Sequence, residues 1–267
     1  IQKKNERFYI NGNLKNEKSK INNDLILLIF NKNLENFNFS NSKFESTSDF
    51  TFYLNKKFKI KNLKVSSKLN LDEVILKYDL FKIDNYIKNY NDLIKLKDSK
   101  LNIKYSEKKF LIDGSSEFYI EDGLKNFLNF NISKSKNKTD FETFFDLQNI
   151  ELNFKDISYR KMKKNNATLK INVSENNKII LFKKINYTDG KNKMEINNLK
   201  INNKKILNID QIKFDYLTEN NFKNQLILKK NNKNYELLGT SFDSIQLIDN
   251  LANSDSDSNF FSIFKNL

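Results

Sequence analysis

Apolar and polar residues alternate with a period of two along most of the chain. The pattern is plain in "SKLNL" (67–71), "KLNIKY" (100–105), "EFYI" (117–120), "LNFNI" (128–132), "TLKINV" (168–173) and "KMEI" (193–196). Successive side chains of a strand point to opposite faces, so each segment predicts a strand with one apolar face and one Lys/Asn face. Turn signals punctuate the strands: "SEKK" (106–109), "DG" (113–114), "EDG" (121–123), "SENN" (174–177), "TDGKN" (188–192), "NNKK" (202–205) and "NNKN" (231–234). Asn, Asp and Gly accept the positive φ angles of tight hairpins. Such close spacing predicts an antiparallel β-meander rather than βαβ units.

Two strands change phase. In "KILNIDQIKFDYL" (205–217), Leu207 and Ile209 share one parity while Ile212, Phe214 and Tyr216 share the other. A one-residue slip would turn a strand's apolar set to the wrong face, so a bulge is expected near Asp210–Gln211. "NLDEVILKY" (70–78) breaks in the same way between Leu71 and Val74.

Two segments leave the β rhythm. "IDNYIKNYNDLIKL" (83–96) places Ile83, Tyr86, Ile87, Tyr90, Leu93 and Ile94 at spacings of three and four, which predicts an amphipathic helix with Asp84 as its N-cap. In "ELLGTSFDSIQLIDNL" (236–251), Gly239 is expected to end a strand. Phe242, Ile245, Ile248 and Leu251 then predict a short helix capped by Asp243. "ANSDSDSN" (252–259) reads as an exposed loop.

The fold class expected is therefore all-β: a long antiparallel meander with one or two short helices. Roughly thirteen or more strands exceed what a flat open sheet sustains, so the sheet must curl. It can close into a barrel, fold into a sandwich or roll into an open groove, and alternation alone does not choose. No Pro/Gly linker marks a boundary within 1–267. The chain begins at Ile1 and reads as one segment of a larger protein.

Composition changes the picture mainly by exclusion. Pro, Cys, His and Trp are absent, and Arg7 and Arg160 are the only arginines among 47 basic residues. Lysine and asparagine in this excess are what an AT-rich genome encodes, so the net charge of +14 says little about partners. Readers of nucleic-acid sequence rely on arginine forks, and no nucleic-acid partner is expected. Without His or Cys there is no Ser-His-Asp triad, thiol nucleophile or ordinary zinc site. "DSDSN" (255–259) opens like a calcium loop, but Phe260 and Asn266 occupy the positions that need Gly and Glu. No catalytic residue, metal or cofactor is expected, and the chain reads as a non-enzyme. The longest apolar run, "LILLIF" (25–30), is too short to span a bilayer as a helix.

The order of segments carries a resemblance. Hairpin strands at 191–217 lead into "NFKNQLILKKNNKNYELLGTSFDSIQLIDNL" (221–251), where Tyr235, Leu237, Gly239, Phe242, Asp243 and Ile245 stand out. This resembles the AsmA-like/YhdP-like family of bacterial envelope proteins (the DUF3971-type region), in which a hairpin leads to a strand ending in G-x-x-F/L-D and a short helix. "FFDLQNIELNFKDISYRKMKKNNATLKINV" (144–173) is similar in style, so the likeness covers residues from about 100 to 267. It implies a periplasmic segment of an inner-membrane-anchored Gram-negative envelope protein. Its β-groove would carry phospholipid acyl chains between inner and outer membranes, with a membrane at each end of the full-length protein. Leu207, Ile209, Ile212, Phe214, Tyr216, Leu226, Leu228, Tyr235 and Leu237 would line that groove. Phe242, Ile245, Ile248 and Leu251 would form a helix at its edge or mouth. Two alternatives stay open at this point, an outer-membrane β-barrel and a β-sandwich adhesion or surface-binding module.

Overall fold

A computed structural model describes residues 2–4, 7–22, 37–39, 42–77, 85–88, 90, 93–120, 123–203, 205–232, 234–243 and 245. Eighteen strands occur among them. They are β1 (Gln2–Lys4), β2 (Arg7–Lys20), β3 (Phe37–Asn38), β4 (Lys43–Leu54), β5 (Ile60–Lys77), β6 (Leu93–Ser106), β7 (Lys109–Tyr119), β8 (Asn126–Lys134) and β9 (Lys138–Asp146). After these come β10 (Leu152–Phe154), β11 (Tyr159–Lys161), β12 (Ala167–Asn176), β13 (Ile179–Asp189), β14 (Asn192–Asn202), β15 (Lys205–Asn208), β16 (Gln211–Leu217), β17 (Lys223–Asn231) and β18 (Asn234–Ser241). Sixteen belong to one antiparallel sheet that follows chain order and does not close into a barrel; β10 and β11 form a separate hairpin. The all-β antiparallel meander expected from the alternation is the fold; its sheet is open, so the barrel alternative is not adopted.

The chain divides into two compact units: residues 1–79 with 91–140, and residues 80–90 with 141–267. In the first, β2, β4, β5, β6, β7 and β8 pair in sequence. In the second, β12, β13, β14, β16, β17 and β18 do the same, with β15 also on β14.

The hairpins form where Asn and Gly relieve the backbone. Asn177, Asn203 and Asn232 have φ of 49°, 48° and 55°, and Gly190 has 57°. The left-handed region suits Gly and tolerates Asn, so these turns follow from local chemistry. The "DG" at 113–114 is different: it lies inside β7 and makes no turn.

Both phase breaks have a structural cause. The chain leaves the sheet at Ile209–Asp210, between β15 and β16, close to the expected Asp210–Gln211. On the neighbouring strand Asn198 takes φ of 53°, and its side-chain amide donates to Asp210 at 2.8 Å. The break between Leu71 and Val74 leaves β5 continuous. The irregularity falls on β6, where Asp98 has φ of 49° and the register against β7 slips between Lys97 and Lys100.

The helix expected over 83–96 is corrected. Leu93, Ile94, Lys95 and Leu96 begin β6, opposite Lys77, Leu76, Ile75 and Val74. Ile94 and Leu96 also fit a period of two, and the available β5 partner decides between the rhythms. Ile87 makes an isolated bridge to Leu152. The loop 252–259 and the apolar run 25–30 lie outside the described residues.

Candidate functional site

Directly opposed residues of antiparallel strands share a face. In the second unit this rule joins two lateral rows. One runs Ile171, Ile185, Ile196, Ile212, Leu228, Leu237 from β12 to β18. The next runs Leu169, Tyr187, Met194, Phe214, Leu226, Gly239. The parity shared by Ile212 and Phe214 on one strand and by Leu226 and Leu228 on the next thus becomes a continuous apolar face.

The expected lining residues do not all play one part. Ile212, Phe214, Leu226, Leu228 and Leu237 fall in the two rows. Ile209 is buried, and its backbone N–H donates to the Tyr235 hydroxyl at 3.2 Å. Leu207 is 50% exposed, and Ile206 is the residue opposite Ile201. Tyr216 is fully buried, with the Tyr159 ring packed against it. Phe242 is half-buried and Ile245 is 65% exposed. The Asp243 carboxylate accepts from the Ile245 N–H at 3.2 Å, the contact an N-cap would make. Ile248 and Leu251 lie outside the described residues. Gly239 does not end its strand, which continues to Ser241. A Cβ at Gly239 would lie 2.6 Å from a Leu226 methyl, so the glycine is there to let Leu226 lie across it.

One end of this face is covered by the β10–β11 hairpin, through a residue that the sequence reading did not single out. Tyr159 is 1% exposed and packs edge-on against Tyr187 and Tyr216, with ring centroids 6.0 and 5.5 Å away. Its hydroxyl lies 2.9 Å from the Tyr187 hydroxyl and donates to Asp189 at 2.7 Å. The Tyr216 hydroxyl donates to the Ile157 carbonyl at 2.8 Å. Burial is the first cause that pushes all three phenols well above their ordinary range.

Next to Tyr159, Lys161 is fully buried, and its ammonium donates to the carbonyls of Leu147, Gln148 and Ile150 at 2.6, 2.7 and 2.8 Å. Three donors meet three acceptors, which makes burial tolerable. Burial still pushes the Lys161 amine down to about 8. On the hairpin's outer side Arg160 donates from Nε to Glu151 at 3.0 Å, and this holds the Glu151 carboxyl below its usual range. Tyr86 stacks on Phe154 at 5.2 Å and its carbonyl accepts from the Asn153 N–H, which ties residues 86–88 to the hairpin. No period-two signal marks Tyr159 as different from any other strand tyrosine, because its role depends on strands far away in sequence.

The first unit has its own apolar face. One row runs Gly12, Phe50, Val65, Tyr105, Phe110 from β2 to β7. Another runs Leu14, Ser48, Ser67, Ile103, Ile112, Ile132 from β2 to β8, and a third Asn16, Ser46, Leu69, Leu101, Gly114, Phe130. None of these residues is fully buried; most are half-buried, and Leu14 and Tyr105 are exposed. The opposite face is polar, with the row Lys15, Thr47, Lys68, Asn102, Asp113, Asn131. In a sandwich, the mid-strand inner residues would interdigitate with a second layer and lose contact with water. Here they keep it.

Among the described residues no group of three or more acidic side chains is placed to hold a metal ion, and no helix is long and apolar enough to cross a membrane. No protein-family model, curated protein or solved structure matches the chain.

Proposed function

We propose that this chain is a non-enzymatic segment of an envelope protein whose apolar sheet faces hold phospholipid acyl chains. Lipid would pass along it between the inner and outer membranes. On this reading it is a periplasmic part of an inner-membrane-anchored Gram-negative protein of the AsmA-like/YhdP-like type. Its ligand is phospholipid, membranes lie at the ends of the full-length protein, and nucleic acid has no part.

The single observation that carries the reading is the half-buried apolar face of β4 to β8. Phe50, Val65, Leu69, Leu101, Ile103, Phe110, Ile112, Phe130 and Ile132 keep contact with water although they sit mid-sheet in long strands. Removing apolar surface from water is worth about 0.8 kcal/mol per CH₂ group. A fatty tail laid on this face gains that energy from both partners, while its head group stays in water. Neighbouring rows present similar side chains, so a tail shifted by one row keeps nearly the same burial. Movement along such a face has no deep trap.

Native mass spectrometry and lipid extraction of protein purified without detergent test the proposal. Co-purified phospholipid, and saturable binding of a fluorescent fatty acid after delipidation, are expected. Lipid-free protein that ignores the probe would overturn it.

A further inference from the structure

The turn between β4 and β5 carries an aromatic side chain where the backbone favours another residue. Phe58 has φ of 56° and is 75% exposed. The left-handed region is uncommon for a bulky side chain and natural for asparagine, which occupies it at Asn177, Asn203 and Asn232. The ring does not hold the turn together. The Asn55 side-chain oxygen accepts from the N–H groups of Lys57 and Lys59 at 2.9 and 3.0 Å. The Phe58 N–H donates to the Asn55 carbonyl at 2.9 Å. Backbone strain and an exposed ring thus coincide at one residue, which points to function rather than folding.

The surroundings are apolar and basic. Ile60 is 55% exposed, and Leu54 and Phe8 opposite it complete one end of the first unit's apolar face. Lys56, Lys57, Lys59 and Lys61 are exposed beside the ring, and from Phe50 to Leu71 the chain has six lysines and no acid. Glu107 accepts from the Asn62 N–H, which draws the β6–β7 turn alongside with Lys108 and Lys109. The glutamates of these strands, Glu17, Glu45, Glu73 and Glu117, lie toward the opposite ends. Genome composition raises the total of lysine but does not sort charge between strand ends. Residues 50–77 are described throughout, and the longer undescribed stretches, 23–36 and 78–84, follow the opposite ends of β2 and β5.

We infer that this tip docks on an anionic membrane surface, with the Phe58 ring among the lipid head groups and the lysines against their phosphates. A ring at the head of a narrow turn suits a soft interface that it can enter. Lysine is a point charge that meets phosphate without fixed pairing geometry, and each one near an anionic leaflet adds to binding. A protein partner would need roughly 800 Å² of matching surface on each side, more than one turn offers. The docking stands on exposure, backbone and charge, and does not depend on acyl chains lying on the sheet.

Flotation of the full 267-residue chain with vesicles reads the binding. Mixed phosphatidylcholine–phosphatidylglycerol vesicles should carry the chain, less so at high salt, and pure phosphatidylcholine vesicles should not. The chain has no tryptophan, so Phe58→Trp places a single indole at the tip, and its emission should shift to the blue on the anionic vesicles. Phe58→Asn relieves the backbone and should keep the circular dichroism spectrum while weakening vesicle binding about tenfold or more. Lys57→Glu with Lys59→Glu should weaken it comparably. Lys191→Glu with Lys200→Glu, the same charge change in the second unit, should weaken it far less. A chain that ignores anionic vesicles overturns the inference, as does equal binding to neutral ones. So does vesicle binding that leaves the Phe58→Trp indole in water or that Phe58→Asn does not weaken. A blue shift with poly-glutamate but not with vesicles would assign the tip to an acidic protein and overturn it as well. Fatty-acid probe binding without vesicles should be unchanged by Phe58→Asn, so failure of either proposal leaves the other standing.

Discussion

Gly114 on β7 lies directly opposite Phe130 on β8, and the Phe130 ring rests across the space a side chain would fill. A Cβ built there would sit 2.8 Å from a Leu101 methyl and closer still to the ring. Gly12 stands in the same relation to Phe50, and Gly239 to Leu226. In each case a large side chain folds down over bare backbone, so the apolar face stays shallow without a second layer.

Gly114→Ala should therefore destabilise the protein by roughly 1–3 kcal/mol, because the methyl must displace Phe130 and Leu101 together. Urea unfolding checks this. Adding Phe130→Leu should recover part of the loss, since the two sites share one volume.

Tyr159→Phe keeps the ring and removes the hydroxyl that donates to buried Asp189. The expected cost is about 1–3 kcal/mol, the desolvation penalty of an acceptor left without its donor. Tyr159→Ala also opens a cavity over Tyr187 and Tyr216 and should cost about 3–5 kcal/mol. Both are read by chemical denaturation.

The buried phenols fix the alkaline limit. Tyr159, Tyr187 and Tyr216 have folded pKa values raised above the ordinary 10.0. Their contribution is complete below about pH 10 and is lost as pH rises further, because the unfolded chain ionises there and the folded chain does not. Stability should fall above that point, with tyrosinate absorbance of the three residues appearing only with unfolding. Lys161 works in the opposite sense. Its folded pKa of about 8 lies below its unfolded value, so the folded state is penalised below about pH 8 and relieved as pH climbs toward 10.5. Lys161→Met should cost about 2–4 kcal/mol by leaving three buried carbonyls without a donor, and should abolish that pH-dependent gain.

The two faces of β7 separate the acyl proposal from general basic stickiness. Ile112→Lys puts a charge in the apolar row and should weaken fatty-acid probe binding roughly tenfold or more, whereas Asp113→Lys on the polar face should leave it nearly unchanged. A titration with a fluorescent fatty acid reads both. Equal losses would count against the apolar face as the binding surface.

Much of this is legible in the sequence, residue by residue. The turns at Asn177, Gly190, Asn203 and Asn232 were visible because positive φ is a property of one residue and its neighbours. The kink at Ile209–Asp210 was visible because a change of parity within one strand must be absorbed nearby. Gly114 and Gly239 look like punctuation in the sequence, since a glycine in a turn and a glycine under a large cross-strand side chain are alike in one dimension. At residues 93–96 a helical and a strand rhythm coincide, and only pairing with β5 breaks the tie.

The sequence by itself determined strand chemistry: which parity of each strand is greasy, where the hairpins turn, and that one face is Lys/Asn. It did so because side-chain direction and turn geometry are local. Only the tertiary structure decided which apolar residues meet across strands, that the Tyr159 hairpin covers one end of the second unit's face, and that the rows of the first unit remain half-open. Those outcomes depend on register and on what packs above a residue, and both are set by segments distant in the chain.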